Sequence, residues 1–371
     1  MARVLIVGAF PASLRIFRID LMQAILNKGH EVIGMAAETN EKDIQKIEEK
    51  GFVFRSFKVK RKGLNPLWEL QTWHSLRRAF DFLRPELVLS YTVKPVIWSG
   101  LSLKGLKNIR FFALITGLGY GFYGKGPLRG LLTLLISFLY RISLKRAEGV
   151  FFQNADDRNT FVKRRIVDWS KCHLVDGSGI DLSYYDRAPS PEEGIVFLTI
   201  ARLLADKGLR EYAQAARIVK GRYPSVVFHL LGFQDPGLNA IPIDEIHRWE
   251  EEGQLRYLGT AEDVRPALRN CHVYVLPSYH EGMPRSVLEA MAIGRPILTT
   301  DVPGCRETVI PGENGFMVPK GDAGALAERM IWFIEHRGEW ERMGRKSREI
   351  AERRFDVHKI NRRMMTIMGL I

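Results

Sequence analysis

The chain of 371 residues contains two successive series of short apolar runs. In each series, the apolar runs alternate with segments of helical periodicity. At the start of the chain, an apolar run at 3–9 leads through a helical pattern into a second run at 30–37. A strand–helix–strand unit of about 30 residues is typical of a parallel sheet. The first series therefore predicts one parallel sheet, with further strands at 86–91, 110–116, 149–154 and 172–177.

The pattern begins again after a stretch rich in proline and acidic residues at 187–194, which we interpret as an interdomain linker. A chain of this length suits two domains better than one core. We predict an α/β protein of two Rossmann-like parallel-sheet domains, 1–188 and 189–371, that face a central cleft. We expect a last helix at about 340–371 to pack back on the first domain. The strands of the second series are predicted at 195–201, 226–232, 255–259, 273–277 and 296–300.

Charge distinguishes the two predicted domains. The net charge of +13 belongs entirely to residues 1–190, and residues 51–150 alone hold 17 basic and 4 acidic side chains. A basic half indicates an anionic partner, such as nucleic acid, membrane lipid or a phosphorylated substrate, although a solubilising surface has the same composition.

The three cysteines, at 172, 271 and 305, have no metal-site spacing, and we interpret them as reduced packing residues of a cytosolic protein. The N-terminal segment does not have the shape of a secretory signal.

The segment 277–300 places two glutamates around a predicted helix start at Pro284. Glu281 falls in the loop after a buried strand, and Glu289 falls inside the helix among apolar neighbours. The helix N-terminus carries free N–H donors and partial positive charge, so it suits an anion. A buried glutamate needs a partner, and ligand hydroxyls would serve. A helix cap plus an ion pair remains the alternative.

Two cations, Arg202 and Lys207, follow the first strand of the second series. At the carboxyl end of that strand they would face the same ligand-binding edge as the glutamates. Together with a helix N-terminus they can neutralise a diphosphate without a metal, and we expect no metal cofactor. Solvated turn charges remain the alternative.

These segments resemble the retaining glycosyltransferases of family 4, whose fold is called GT-B. The resemblance rests on "GHEV" (29–32), on "ARLLADKGL" (201–209), and on "PSYHEGMPRSVLEAMAIGRPILTTDVPGCRE" (277–307), which holds two glutamates eight positions apart. It covers nearly the whole chain.

The resemblance implies a role for each matching residue. Arg202 and Lys207 would hold the donor diphosphate, Glu281 would face the donor sugar, and Glu289 would bind the ribose hydroxyls. Together, Glu281, Arg202 and Lys207 form the predicted catalytic set. Further donor contacts are expected at Gly282, Met283, Arg285, Ser286, Tyr257, Gly259 and Gly8.

The family pattern has one departure. Many members have a histidine after the fourth N-terminal strand, where this chain reads "ALITGLGYGF" (113–122). Thr116, Gly117 or Tyr120 would occupy that space, so we assign no catalytic base. A same-face transfer, in which the leaving phosphate takes the acceptor proton, needs mainly electrostatic stabilisation of the diphosphate.

Three further segments, "SYTVKPVIWSG" (90–100), "ITGLGYGF" (115–122) and "FFQNADDRNTF" (151–161), resemble one branch of this family. That branch extends undecaprenyl-diphosphate-linked sugars in capsule, O-antigen or N-glycan assembly. Independently, residues 125–146 have an uncharged centre between basic flanks, too short to span a bilayer but suited to its surface. A buried core helix is the alternative. We therefore expect a peripheral protein on an anionic membrane, at the inner face of the cytoplasmic membrane. Candidate acceptor or membrane residues are Arg15, Lys94, Thr116, Tyr120, Lys125, Arg129 and Arg141.

Two other functions are compatible with parts of the sequence. A nucleotide-sugar 2-epimerase also uses a doubled α/β cleft but would act on the donor alone. A nucleic-acid-binding protein would explain the basic charge, but no recognition module is present in the sequence and we expect no nucleic acid partner.

Overall fold

The computed structural model describes residues 1–38, 41–60, 65–119, 122, 127–235 and 239–371, with the side chains at 127–129 left aside. The chain divides into two compact units, of which unit 1 comprises Met1–Ser178 with His358–Ile371 and unit 2 comprises Gly179–Val357. Each unit is built on its own parallel sheet.

Unit 1 contains, within the described residues, a seven-stranded sheet of order β3-β2-β1-β4-β5-β6-β7, in which every pair is parallel. Its central strands are buried along nearly their whole length, as expected for a sheet covered on both faces. The strands are β1 (Arg3–Val7), β2 (Glu31–Ala36), β3 (Val53–Ser56), β4 (Leu87–Tyr91), β5 (Arg110–Ile115), β6 (Gly149–Phe152) and β7 (Cys172–Leu174).

Helices cover both faces of this sheet with separate apolar clusters. One cluster contains α4, α5 and α6, and within it α4 packs on α5 and α5 packs on α6. The other cluster contains α1, α2 and the C-terminal α14. The helices are α1 (Pro11–Phe17), α2 (Ile19–Leu26), α3 (Glu41–Glu48), α4 (Pro66–Leu83), α5 (Val93–Ser102), α6 (Pro127–Leu144), α7 (Ala155–Lys163) and, after unit 2, α14 (Val357–Ile367).

Unit 2 repeats the design with a parallel six-stranded sheet of order β10-β9-β8-β11-β12-β13 in the described residues. The strands are β8 (Val196–Ile200), β9 (Val227–Leu231), β10 (Arg256–Tyr257), β11 (Val273–Leu276), β12 (Ile297–Thr300) and β13 (Gly315–Val318). The helices are α8 (Leu209–Arg222), α9 (Ile243–Glu251), α10 (Arg265–Arg269), α11 (Arg285–Ile293), α12 (Ala323–Glu335) and α13 (Glu339–Ile350).

Both strand orders are those of doubly wound Rossmann-like sheets, which confirms the predicted fold class. The sequence analysis missed β3 and β13, which are four-residue strands, each at an edge of its sheet. Both pair on one side only and are partly exposed, so neither has to be the fully buried apolar run that marks a central strand. Among the described residues, no helix combines the length and the apolar character that crossing a membrane requires.

The border between the units lies at 178/179 rather than at the predicted 188/189. The predicted linker is fixed to unit 2, because the buried guanidinium of Arg295 donates to the carbonyl oxygens of Ala188 and Pro189 at 3.3 and 2.8 Å. The predicted last helix is also divided. Helix α13 belongs to unit 2, a π-helical turn at Ala351–Phe355 follows it, and only His358–Ile371 belongs to unit 1.

Candidate active site

The carboxyl edge of the unit 2 sheet collects the charged residues that the sequence singled out. The strand order reverses between β8 and β11, and ligands of doubly wound sheets bind outside the carboxyl ends of the strands at such a point. Arg202 and Lys207 follow β8, whereas Glu281 follows β11. The topology therefore brings together residues that are more than 70 positions apart in the chain.

Lys207 and Glu281 form an ion pair at the centre of this edge. Lys207 Nζ donates to Glu281 Oε1 at 2.5 Å, and Ser278 Oγ donates to the same oxygen at 2.7 Å. The turn that presents Lys207 depends on Gly208, whose φ of 68° is left-handed and where a Cβ would collide with the Pro277 carbonyl. Lys207 is thus held against the loop that carries Glu281.

The environment of Glu281 favours its charged form. Burial by itself would raise its pKa, but the charge and hydrogen bond of Lys207, the hydroxyl of Ser278 and the charge of Arg202 together hold the pKa below its usual value. Glu281 is therefore a fixed carboxylate at neutral pH.

Arg202 is oriented by an acid that the sequence analysis did not select. Its Nη1 donates to Asp235 Oδ2 at 2.6 Å, and Asp235, which follows β9, is almost fully buried. The Arg202 side chain remains 36% exposed. One edge of the guanidinium is thus anchored while the side chain keeps solvent access, an arrangement that suits bidentate binding of phosphate.

Helix α11 begins directly after the loop of Glu281. Its N-cap is Pro284, and the N–H groups of Val287 and Leu288 both turn back to the Pro284 carbonyl. The N–H groups at the start of a helix lack intrahelical acceptors, so the stretch from Gly282 to Ser286 suits an anion. Ser286 is also hydrogen-bonded to the buried Tyr274 of β11, and Met283 packs on the cluster beneath.

Glu289 lies in the second turn of α11 and has partners of its own. Tyr185 Oη donates to Glu289 Oε1 at 2.9 Å, and Arg285 Nε donates to the same oxygen at 3.0 Å. Burial nevertheless outweighs the charge of Arg285 and both hydrogen bonds, and it raises the pKa of Glu289 above its usual value. The predicted alternative of an ion pair is therefore present, although it leaves this carboxyl less acidic than Glu281.

Tyr257 and Gly259 lie further along the same edge. Tyr257 ends β10, and its hydroxyl donates to the Gly232 carbonyl at 2.7 Å, while the Gly232 N–H donates to the Gly259 carbonyl at 2.9 Å. Both residues are therefore at the carboxyl end of the unit 2 sheet, and their predicted contact with the base stays a prediction.

The candidates in unit 1 have structural partners within that unit. Gly8 is buried against Tyr91, whose hydroxyl would collide with a Cβ at this position. Arg15 Nε donates to Asp43 Oδ1 at 2.7 Å, and Lys94 pairs with Glu69. Their proposed ligand contacts remain predictions.

The remaining acceptor and membrane candidates are only partly described. Thr116 follows β5 and is half-buried, whereas Tyr120, Lys125 and the side chain of Arg129 lie outside the described residues. Arg141 is exposed, but it donates to the carbonyls of Arg164 and Arg165 at 2.9 and 2.8 Å, which fixes the turn after α7.

Sequence reasoning missed three side chains that hold the charged residues in place. Asp235, Ser278 and Tyr185 contact Arg202, Glu281 and Glu289 respectively. Ser278 lies within the motif that was quoted and could have been found there. The other two are 33 and 104 positions from their partners, and no local pattern connects such residues.

In the ranges that the structure describes, no group of three or more histidine, cysteine or acidic side chains is arranged to hold a metal ion. Metal independence of the reaction stays a prediction.

Two family models match the chain, one to each unit. The model described as glycosyl transferases group 1 matches residues 185–350, which contain every charged residue of the site, and the model described as glycosyl transferase 4-like matches residues 6–154. The chain belongs to the group 1, family 4-like glycosyltransferases. The enzyme class and the recognised family are thus confirmed.

Relatives of this glycosyltransferase include two transferases named for sugars that are linked to undecaprenyl diphosphate. The chain is 27% identical over 337 residues, 87% of each chain, to the N,N'-diacetylbacillosaminyl-diphospho-undecaprenol alpha-1,3-N-acetylgalactosaminyltransferase of Campylobacter jejuni. It is 24% identical over 227 residues to the UDP-Gal:alpha-D-GlcNAc-diphosphoundecaprenol alpha-1,3-galactosyltransferase of Escherichia coli, covering 57% of this chain and 58% of the relative. Both are described as transferases, so neither supports the epimerase alternative.

Solved structures share the fold. The Anabaena HepE protein in complex with UDP-glucose superposes with a TM-score of 0.82 over 100% of both chains, at 17% sequence identity. At this identity the likeness shows the fold alone, and the fold is GT-B.

Proposed function

We propose that this enzyme is a retaining glycosyltransferase that moves a hexose or N-acetylhexosamine from a UDP-linked nucleotide-sugar to a polyprenyl-diphosphate-linked saccharide, in surface polysaccharide or glycan assembly. The observation that carries the proposal is the cluster of Arg202, Lys207 and Glu281 at the reversal point of the unit 2 sheet. The donor and acceptor classes are inferred from the names of the two relatives, which specify UDP-galactose and undecaprenyl-diphosphate-linked sugars.

Each of the two glutamates would bind a different part of the nucleotide-sugar donor. Arg202, Lys207 and the first N–H groups of α11 carry positive charge and donors suited to a diphosphate. Both protein partners of Glu289 donate to its Oε1, so we assign its Oε2 to the ribose hydroxyls. Glu281, fixed by Lys207 and Ser278, is assigned to the sugar side of the diphosphate.

Transfer would break the bond between the anomeric carbon and the diphosphate oxygen, and the acceptor hydroxyl oxygen would bond to that carbon on the same face. The hydroxyl proton would pass to the departing diphosphate. Negative charge on the leaving group grows during this step, so the fixed cations stabilise the transition state more than the ground state. The protein supplies them as Arg202 and Lys207, and we propose that no metal ion is needed.

An exposed apolar stripe supports contact with a membrane. Leu131, Leu134, Leu135, Phe138 and Ile142 recur at helical spacing on α6, and Leu131 and Leu134 are 65% and 64% exposed. A buried core helix would hide this face. A monomeric soluble protein rarely exposes a contiguous apolar face of this kind, and a helix lying in the interface would bury it among acyl chains. We therefore place the enzyme peripherally on the cytoplasmic face of the membrane, with no nucleic acid partner.

The decisive experiment is product mass spectrometry. The purified protein is incubated with a short polyprenyl-diphosphate saccharide and a panel of UDP-, GDP- and ADP-sugars, with EDTA and without added metal. We expect the lipid to gain the mass of one hexose or N-acetylhexosamine from a UDP-sugar. Activity that appears only on metal addition would refute metal independence, and conversion of the donor to an isomer without transfer would instead indicate the epimerase.

A further inference from the structure

The outer side of α4 carries a groove that the transfer reaction does not use. It is a cavity of about 580 Å³ between α4 and the chain that follows β3, where the Lys58 N–H donates to Ser75 Oγ at 3.2 Å. Trp73 contributes an apolar wall. Its polar lining consists of Lys58, Gln71, His74, Ser75 and Arg78.

The groove is positively charged. Lys58 and Arg78 are exposed, and neither forms an ion pair with a carboxylate in the described part of the chain. The acidic side chains of α4 are engaged elsewhere. Glu69 accepts from Lys94 and from Trp98, both of α5, and Asp81 accepts from Arg77 at 3.2 Å. Two cations beside the Gln71 amide and the His74 imidazole make a site for an anion with several acceptor oxygens, such as a phosphate.

Apolar side chains adjoin this charge. Leu67 and Leu70 in the first turns of α4 are 71% and 59% exposed, and Lys60 Nζ lies 3.7 Å from the centre of the Trp68 ring. Because α4 packs on α5 and α5 on α6, the groove and the apolar stripe of α6 belong to the same helical layer of unit 1. An anion bound here would thus be flanked by surface suited to acyl chains.

We propose that this groove binds the phosphate headgroup of an anionic glycerophospholipid. The inference deepens the proposed membrane association and rests on it. The stripe on α6 supplies apolar contact with any bilayer, whereas the groove selects bilayers that contain anionic lipid. The positive charge supplies attraction, the hydrogen-bond donors recognise the phosphate, and Leu67, Leu70 and Trp73 contact the lipid next to it.

The test compares two double variants of equal charge. The groove variant is Lys58→Gln with Arg78→Gln. The control is Lys28→Gln with Lys50→Gln, which changes exposed lysines in the turns after α2 and α3, helices that pack on the opposite face of the same sheet. All four side chains are exposed, so equal melting temperatures are expected.

Binding is measured by vesicle co-sedimentation, with phosphatidylcholine alone and with added phosphatidylglycerol. The groove variant should lose roughly 30-fold in affinity for the anionic vesicles, the loss that two surface cations imply. It should bind phosphatidylcholine vesicles as the wild type does. The control should lose less than about threefold, because its charges lie on the other face. Equal losses in the two variants would overturn the proposal in favour of diffuse attraction.

Calorimetry with a soluble short-chain phosphatidylglycerol and with inorganic phosphate identifies the source of the anion. Saturable binding of the lipid that the groove variant loses supports the proposal. Inorganic phosphate that binds as tightly as the lipid would overturn it, since the groove would then be a site for free phosphate.

Sugar transfer to a soluble short-chain acceptor separates the two proposals. Wild type and groove variant should be equally active in this assay. No transfer by either would refute the proposed function without touching the binding result.

Discussion

The two sheets have corresponding strand orders but different chemistry at their carboxyl edges. In unit 1, the strand order reverses between β1 and β4, and side chains of the unit itself fill this point. Tyr91 Oη lies 2.8 Å from Ser13 Oγ, and Arg18 lies 5.0 Å from the centre of the Tyr91 ring. Burial raises the pKa of Tyr91 to about 12, so this cluster holds a neutral phenol. In unit 2, the corresponding edge holds the largely buried ion pair of Lys207 and Glu281, and beside it Arg202, whose side chain is 36% exposed.

The difference shows that the sheet topology provides a potential ligand-binding edge, and that the side chains at this edge decide whether a ligand can bind there. A filled edge stabilises its own unit, whereas an edge with oriented, accessible charges can bind a charged ligand. The following substitutions test this contrast, beginning with the largest expected effect.

Glu281→Gln should abolish most transfer. The amide oxygen can still accept from Lys207 and Ser278, so the fold should persist, but the fixed negative charge is lost. We expect kcat to fall at least about 100-fold, as for removal of one preorganised electrostatic group. Steady-state kinetics and a thermal melt check this, and near-normal turnover would remove Glu281 from the catalytic set.

Arg202→Ala should weaken stabilisation of the leaving diphosphate, with an expected loss of about 10- to 100-fold in kcat/KM for the donor. Asp235→Asn keeps the cation but loosens its orientation, so a smaller loss of about 3- to 10-fold is expected. An unchanged kcat and KM in Arg202→Ala would show that this arginine is only a solvated turn charge.

Tyr185→Phe removes the hydroxyl that orients Glu289. We expect the donor KM to rise about 2- to 10-fold with little change in kcat, because one hydrogen bond contributes about 1 kcal/mol. Tyr91→Phe in unit 1 is the matched control, since it also removes one buried hydroxyl. It should leave the donor KM within about twofold of the wild-type value. Equal effects of the two variants would contradict the proposed difference between the two carboxyl edges.

The two glutamates should affect stability with opposite dependence on pH. The pKa of Glu281 is lowered from 4.5, so its favourable contribution is present above that pH and is lost as the pH falls through the lowered value. The pKa of Glu289 is raised from 4.5, so the folded state binds the proton more tightly and this group destabilises the fold as the pH rises through the raised value.

Chemical unfolding of the wild type, Glu281→Gln and Glu289→Gln between pH 3 and 8 measures these contributions. As the pH rises, the free energy of unfolding of the wild type should increase relative to that of Glu281→Gln. Relative to that of Glu289→Gln, it should decrease. The same direction for both would contradict their different environments.

The amino-acid sequence by itself determined the two Rossmann-like sheets and singled out the charged residues at the carboxyl edge of unit 2, with the exception of Asp235. Buried parallel strands are continuous apolar runs, and the motif around Glu281 and Glu289 occupies one short segment, so both signals are local. Helix α6 was also found from its sequence, although only the structure showed that its apolar stripe is exposed.

Tertiary structure alone decided what the local signals do not contain. The short strands β3 and β13 exist because neighbouring strands offer them hydrogen bonds, and the predicted linker belongs to unit 2 because Arg295 holds its carbonyls. Likewise, Asp235 and Tyr185 reach Arg202 and Glu289 only when the chain folds. Contacts between residues distant in sequence depend on the packing of the whole unit, and no local pattern encodes them.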